Sequence, residues 1–227
     1  MIKIENVEVV GLEPAIRGMR NPMNSWDKSD SGFKDPESSL HTLNSGKTFI
    51  VGPNDLKTMK NLSAGGPVHG KFKRMITVYV DVTAPLYWWK EFDTYKIGTV
   101  ANSCSTMHKI HDKKFELEDF SFEHLISDQT ISTKTYSPLS VLKVMIDILN
   151  INRELFVETK DKQYWWQMIQ LLPSSYNQRR TVMLNYEVLT AMYRDRKNHK
   201  LDEWHTLCDM IEDLPYSELI TEKPTYV

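Results

Sequence analysis

The chain has 227 residues, 41% hydrophobic and 26% charged, with a formal net charge of −2. That is enough apolar material for one large core, and the lack of a basic excess gives no electrostatic footing for binding nucleic acid. Two cysteines, Cys104 and Cys208, are too few for a disulfide scaffold and fit a reducing compartment, and no run approaches the ~20 apolar residues that span a bilayer.

The first residues, Met1 to Glu5, carry no basic segment followed by an apolar run, so no secretory signal and no membrane contact are expected, and the cytoplasm is the expected compartment. Ile2, Ile4, Val7 and Val9 alternate as a short strand does. Gly18 to Lys47 is rich in Asn, Ser, Asp, Gly and Pro and reads as a long irregular segment, the kind that carries function more often than structure. Ser45 to Val51 reads as a short strand ending at Gly52-Pro53. Pro53 to Leu62 reads as a helix, with Pro at its first turn, Asp55 at its positive end, and Leu56, Met59 and Leu62 on one face. Gly65-Gly66-Pro67 ends it and lacks the preceding strand of a dinucleotide fingerprint. Lys71, Lys73 and Arg74 form a local basic cluster, which reads as a solvated loop.

Met75 to Val82 alternates apolar and polar residues and predicts a strand with one buried face. Pro85 opens a helix carrying Leu86, Trp88, Trp89 and Phe92. Ser137-Pro138 is an N-cap followed by Pro at the first helical position. The helix it opens is apolar nearly all round, which predicts a central place. A second helix is expected over Glu154 to Leu171, a third from Arg180 to about Arg196, and a fourth over Leu201 to Asp213. Strands early, helices late and no regular interleaving predict an α+β fold, an antiparallel or mixed sheet flanked by helices. The whole of 1–227 is expected to form a single domain, with the irregular segment 18–47 and a short C-terminal tail, 216–227.

The order of features from about Leu56 to Pro215 resembles the flavin-dependent thymidylate synthases. The helix at Pro53 is followed by Val68-His69, a strand ending in Ala84-Pro85, and the aromatic run Leu86-Tyr87-Trp88-Trp89. At the place of the family's Arg-His-Arg-x-x-Ser-x-Asn-x-x-Ser-x-Arg signature stand Thr94-Tyr95-Lys96-Ile97-Gly98-Thr99 and, after one inserted residue, Asn102-Ser103-Cys104-Ser105-Thr106-Met107. Leu172-Pro173, Asn185, Leu189, Arg196 and Leu201-Asp202-Glu203-Trp204 resemble the family's later features, and Asn185 to Arg196 keeps the family's spacing without a gap. The resemblance implies a homotetramer with shared sites that bind FAD and dUMP, with methylene tetrahydrofolate and NADPH as cosubstrates, for methylation at C5 of the pyrimidine. An alternative is a nucleotide-binding protein of this fold that has lost flavin chemistry. His69, Lys96 and Asn185 are the implied cofactor contacts, and Asn102, Ser105 and Arg196 the implied substrate contacts. The three signature arginines are here Thr94, Lys96 and Met107. Arginine holds phosphate by two parallel charged hydrogen bonds, which lysine cannot do and methionine cannot approach. Arg179, Arg180 and Arg194 are the arginines available to compensate.

Three further constellations have plainer readings. On a helix, Cys104, His108 and His111 would share one face. Three ligands barely meet the need of a zinc site, so no metal is expected, and the histidines read as solvent-facing beside a buried Cys. Trp88-Trp89 and Trp165-Trp166 read as one buried and one contact tryptophan each, rather than as ring-stacking platforms. Glu91 and Asp93 do not share a helix face and read as a solvated edge.

Overall fold

The computed structural model describes residues 2–34, 48–128 and 136–222. Four strands, β1 (Lys3–Val10), β4 (Thr77–Pro85), β5 (Val100–Ser103) and β6 (Asn177–Asn185), make a sheet in the order β1-β4-β6-β5, and β2 (Gly32–Lys34) pairs antiparallel with β3 (Thr48–Ile50). With the helices that flank it, the larger sheet gives the expected α+β class. The chain divides into two compact units. The first comprises Met1–Glu5, Asp81–Tyr95 and Ala101–Val182; the second comprises Asn6–Val80, Lys96–Val100 and Met183–Val227. Each of the four long-sheet strands therefore supplies residues to both units.

In the first unit, α5 (Pro138–Thr159) and α6 (Lys162–Leu171) pack side by side. Ser137 and Ser140 cap α5 reciprocally, each side chain accepting the other's backbone N–H, and Pro138 needs no partner for a donor it lacks. The helix expected from Glu154 does not exist as one piece. Lys160 turns left-handed and Asp161 accepts from Gln163 N at 2.9 Å, which stops α5 and starts α6. Leu142, Ile146 and Leu149 join Met168, Phe115 and Phe120 in the core. The opposite face of α5 is not central as expected, since Val141, Val144, Ile148 and Ile151 are exposed. The buried carboxamide of Asn150 holds both backbone groups of Phe115, at 2.9 Å each, which fixes a stretch without regular structure. Trp88 and Trp89, on α3 (Leu86–Phe92), are both buried, contrary to the reading of one inside and one at a contact. Trp89 donates to Gln178 O at 2.9 Å, and the Arg180 guanidinium lies over its ring at 4.1 Å.

The second unit begins with a helix that composition concealed, α1 (Leu12–Arg20), which buries Ala15, Ile16 and Met19. Residues 18–34 of the segment expected to be irregular hold its last turn, two 3-10 turns and β2; residues 35–47, including the start of the strand expected from Ser45, lie outside the described residues. At α2 (Pro53–Ala64) the N-terminal N–H groups of Asn54 and Asp55 are capped from a distance by the Asp30 carboxylate, at 2.9 and 3.0 Å. Gly52 is required there, because a Cβ would overlap Asp30. Lys73, expected in a solvated loop, is buried and donates to Thr190 Oγ1 and Leu219 O, and burial lowers its pKa. The third expected helix is half strand: Arg180 to Asn185 belong to β6, and α7 runs from Tyr186 to Arg196. After α8 (Asp202–Glu212), the residues expected as a tail are anchored. The Tyr216 hydroxyl accepts from Val51 N at 2.8 Å, and α9 (Glu218–Thr221) buries Leu219 and Ile220. Residues 223–227 lie outside the described residues.

Candidate functional site

The six residues marked by the resemblance fall in both units. Asn102 and Ser105 belong to the first; His69, Lys96, Asn185 and Arg196 belong to the second.

In the second unit the structure brings the Lys96 loop onto Asn185. Asn185 is the N-cap of α7 and not an interior residue: its side-chain oxygen accepts from Val188 N at 3.0 Å. That bond satisfies one of the donors a helix start leaves open, so the plain account of an Asn here is capping. Gly98, at φ +78, packs against this cap. A Cβ on it would lie 2.7 Å from Asn185 Nδ2 and 2.9 Å from a Val188 methyl. The first turn of α7 is thus covered by the protein's own chain. Lys96 is exposed, as is His69, whose ring packs on Gly65 at the end of α2. Arg196 lies over the Trp204 ring at 4.6 Å.

A flavin pyrophosphate asks for forked or clustered donors, and the three implied cofactor contacts, His69, Lys96 and Asn185, include no arginine.

In the first unit, Asn102 is exposed on β5, and Ser105 caps α4 (Thr106–Lys109), accepting from His108 N at 3.1 Å. Ser105 also lines a cleft of about 260 Å³ with Lys109, Lys113, Asp119, Tyr176 and Arg179. Every cation at this cleft is paired. Lys109 meets Asp112 at 2.9 Å, Lys113 meets Asp119 at 2.7 Å, and Arg179 meets Asp81 at 2.7 Å. The hydrogen bond from Lys109 holds the Asp112 carboxyl below its ordinary pKa, and the one to Asp119 raises Lys113. Burial raises the Tyr176 phenol, with Asp119 adding to it, so it stays a neutral donor near pH 7. The cleft offers three cations, a hydroxyl and a phenol in one concave surface, a set able to receive a phosphorylated polar ring.

Arg179 was marked as a compensating cation and does line the cleft; Arg180 is instead engaged by Trp89 and Asp93. Lys109 and Lys113 were missed because residues 96–118 show no periodicity from which to place them, and Tyr176 because it stands in the break after Pro173. Cys104, read as buried, is exposed and precedes α4, which is too short to align it with His108 and His111. His111 packs on Phe156. No group of three or more metal-ligating side chains is present among the described residues. Nor is any described helix long and apolar enough to cross a membrane.

No protein-family model matches the chain, and no curated protein does. Solved structures do match. Thymidylate synthase X (ThyX) from Helicobacter pylori, in a crystal structure with FAD and dUMP, is 14% identical, with 97% of each chain covered and a TM-score of 0.63. The UMP/dUMP methylase PolB from Streptomyces cacaoi, bound with 5-Br dUMP, is 12% identical, with 97% of this chain and 95% of that one covered and a TM-score of 0.63. The same enzyme bound with 5-Br UMP gives 11% identity, coverage of 93% and 87%, and a TM-score of 0.57. At such identities the likeness is one of fold.

Proposed function

We propose that this chain is a divergent thymidylate synthase-like protein that binds a pyrimidine nucleotide such as dUMP. The observation that carries the reading is the cleft at Ser105, whose three cations and two hydroxyl-bearing side chains suit a nucleotide phosphate and base, on a fold whose solved relatives are described with dUMP and 5-bromo nucleotides. Ser105 and Asn102 are the substrate contacts in the first unit. Arg196, stacked on Trp204, is the substrate contact proposed in the second.

A second reading is that the protein also methylates C5 of the nucleotide, with methylene tetrahydrofolate and NADPH as cosubstrates, reduced FAD supplying hydride when bound and His69, Lys96 and Asn185 as its contacts, in a homotetramer. The coverage of 97% of the chain by the ThyX fold favours it. The absence of arginine at Thr94, Lys96 and Met107 favours binding without flavin.

A thermal-shift panel with dUMP, UMP, dCMP and FAD separates the readings, because a ligand raises the stability of the state it binds. Stabilisation by dUMP or UMP alone, in a colourless purified protein, supports the first. A yellow protein further stabilised by FAD supports the second. No shift with any nucleotide removes both.

A further inference from the structure

We propose a second ligand site in the N-terminal part of the second unit, for a planar aromatic ring that carries one anionic group. A cleft of about 350 Å³ is lined there by Ile16, Arg17, Trp26, Gly32, Phe33 and Phe49. Its size is at the small end for organic ligands, enough for a mononucleotide or a smaller aromatic acid.

The aromatic side chains are exposed and yet fixed. Trp26 is 52% exposed and Phe33 56%. Trp26 donates its indole N–H to Asn21 Oδ1 at 2.8 Å, and Phe33 meets its cross-strand partner Phe49 edge to face, with ring centroids 5.2 Å apart. The loop that carries Trp26 is tied to one carboxylate. Asp55, with no exposed surface, accepts from Arg20 Nε, Ser29 Oγ and Ser31 Oγ at 2.6 Å each, and from the backbone N–H groups of Asp30 and Ser31 at 3.2 Å. Burying a carboxylate is costly unless it is fully partnered. Here that arrangement anchors the chain on both sides of Trp26, which stays half exposed. Rigid aromatic side chains placed in advance lower the ordering cost of binding a flat ring.

The charge beside the rings comes from Arg17. Its side chain is 67% exposed, and its ion pair with Glu13, which also lines the cleft, is loose at 3.9 Å and exposed on both sides, so an anion can compete for it. Arg20, by contrast, is committed to Asp55 and Ser25. Gly32 leaves the cleft open, for a Cβ placed on it meets no atom within 4 Å. A phosphate or a carboxylate on the ring would satisfy Arg17 equally.

The test uses 19F NMR of the full chain labelled with 5-fluorotryptophan. The chain has six Trp, and the Trp26 resonance is the one missing from Trp26→Phe. Adenosine 5′-monophosphate serves as the phosphate probe, 4-aminobenzoate as the carboxylate probe, and adenosine as the uncharged control. The expected result is a saturable shift of the Trp26 resonance with one or both anions, the responding probe naming the source. Arg17→Gln and the cleft-filling Gly32→Val, folded as judged by their remaining resonances, should each weaken binding about tenfold or more, and adenosine should bind correspondingly worse than its monophosphate. A Trp26 resonance that neither anion shifts saturably, or an affinity unchanged in Arg17→Gln, overturns the proposal.

Discussion

Two charged regions of this protein are built on opposite terms. Around Asp55 the charge is buried, and every acceptor site is filled by donors from Arg20, Ser29, Asp30 and Ser31. Around Ser105 the charges pair one to one at the surface, with Lys109, Lys113 and Arg179 each facing one aspartate and each substantially exposed. A buried pair cannot change partners without stranding a charge, whereas an exposed pair contributes about 0–1 kcal/mol and is screened by salt. The first arrangement is a brace. The second is a set of cations that a phosphate can recruit at little cost, which is why the cleft and not the better-bonded cluster carries the nucleotide reading.

The largest test of this contrast is Asp55→Ala, which leaves the Arg20 guanidinium buried without its partner. We expect a loss of about 3–5 kcal/mol, read from urea denaturation. The pH dependence follows from the same carboxyl. Burial pushes its pKa up, but the hydrogen bonds from Ser29, Ser31 and Arg20 outweigh that and leave it below the ordinary 3.8. A depressed folded pKa stabilises the fold above the unfolded value and loses that stabilisation as pH falls through the folded one. Stability should therefore hold on acidification until about pH 4, then fall, and the Asp55→Ala variant should lack this share of the decline.

Gly98→Ala should come next. The residue sits at φ +78, and an added Cβ would meet the Asn185 carboxamide at 2.7 Å. Left-handed backbone costs a non-glycine residue roughly 1–2 kcal/mol, and the displaced cap adds to it. If the start of α7 instead met a ligand, this change would alter ligand binding more than the melting temperature; we expect the reverse.

How much of this was legible in the sequence depended on the kind of signal. Period-2 alternation in Ile76 to Val82 and the Ser137-Pro138 start marked β4 and α5 because local pattern and tertiary place agree there. The helix expected from Arg180 failed because Thr181, Val182 and Leu184 follow a strand's alternation that the later Leu189 and Met192 spacing masked. α1 was hidden because Pro14 and Gly18 weaken helix propensity while Ala15, Ile16 and Met19 are buried by neighbours distant in sequence. At the cleft, Ser105 and Arg179 were marked, but Lys109, Lys113 and Tyr176 come together only through the backbone bond Cys104 N to Arg179 O and the bridge between Phe120 and Tyr176. No spacing rule encodes such long-range pairings.

Asn185→Ala separates capping from ligand binding with a smaller effect. Loss of the bond to Val188 N should cost about 0.5–2 kcal/mol. Asn185→Asp, which keeps an acceptor at the helix start, should recover most of it, and neither variant should change dUMP affinity if the residue is only a cap.

The smallest expected change in stability is the one that bears most on function. Arg179→Gln removes an ion pair whose arginine is half exposed and whose Asp81 side chain is 15% exposed, so its melting temperature should move little, by about 1 kcal/mol at most. Asp81 does not become a stranded buried charge in that variant, since Thr181 Oγ1 still donates to it at 2.5 Å. If the cleft receives a nucleotide phosphate, the same variant should lose roughly tenfold in dUMP affinity by calorimetry, the worth of a charged hydrogen bond. The remaining affinity should also fall less steeply with salt than that of the parent, because one cation fewer meets the phosphate. An affinity for dUMP that survives Arg179→Gln with its salt dependence intact would place the phosphate elsewhere and leave these ion pairs as surface ornament, of no more consequence than Lys3 with Glu5.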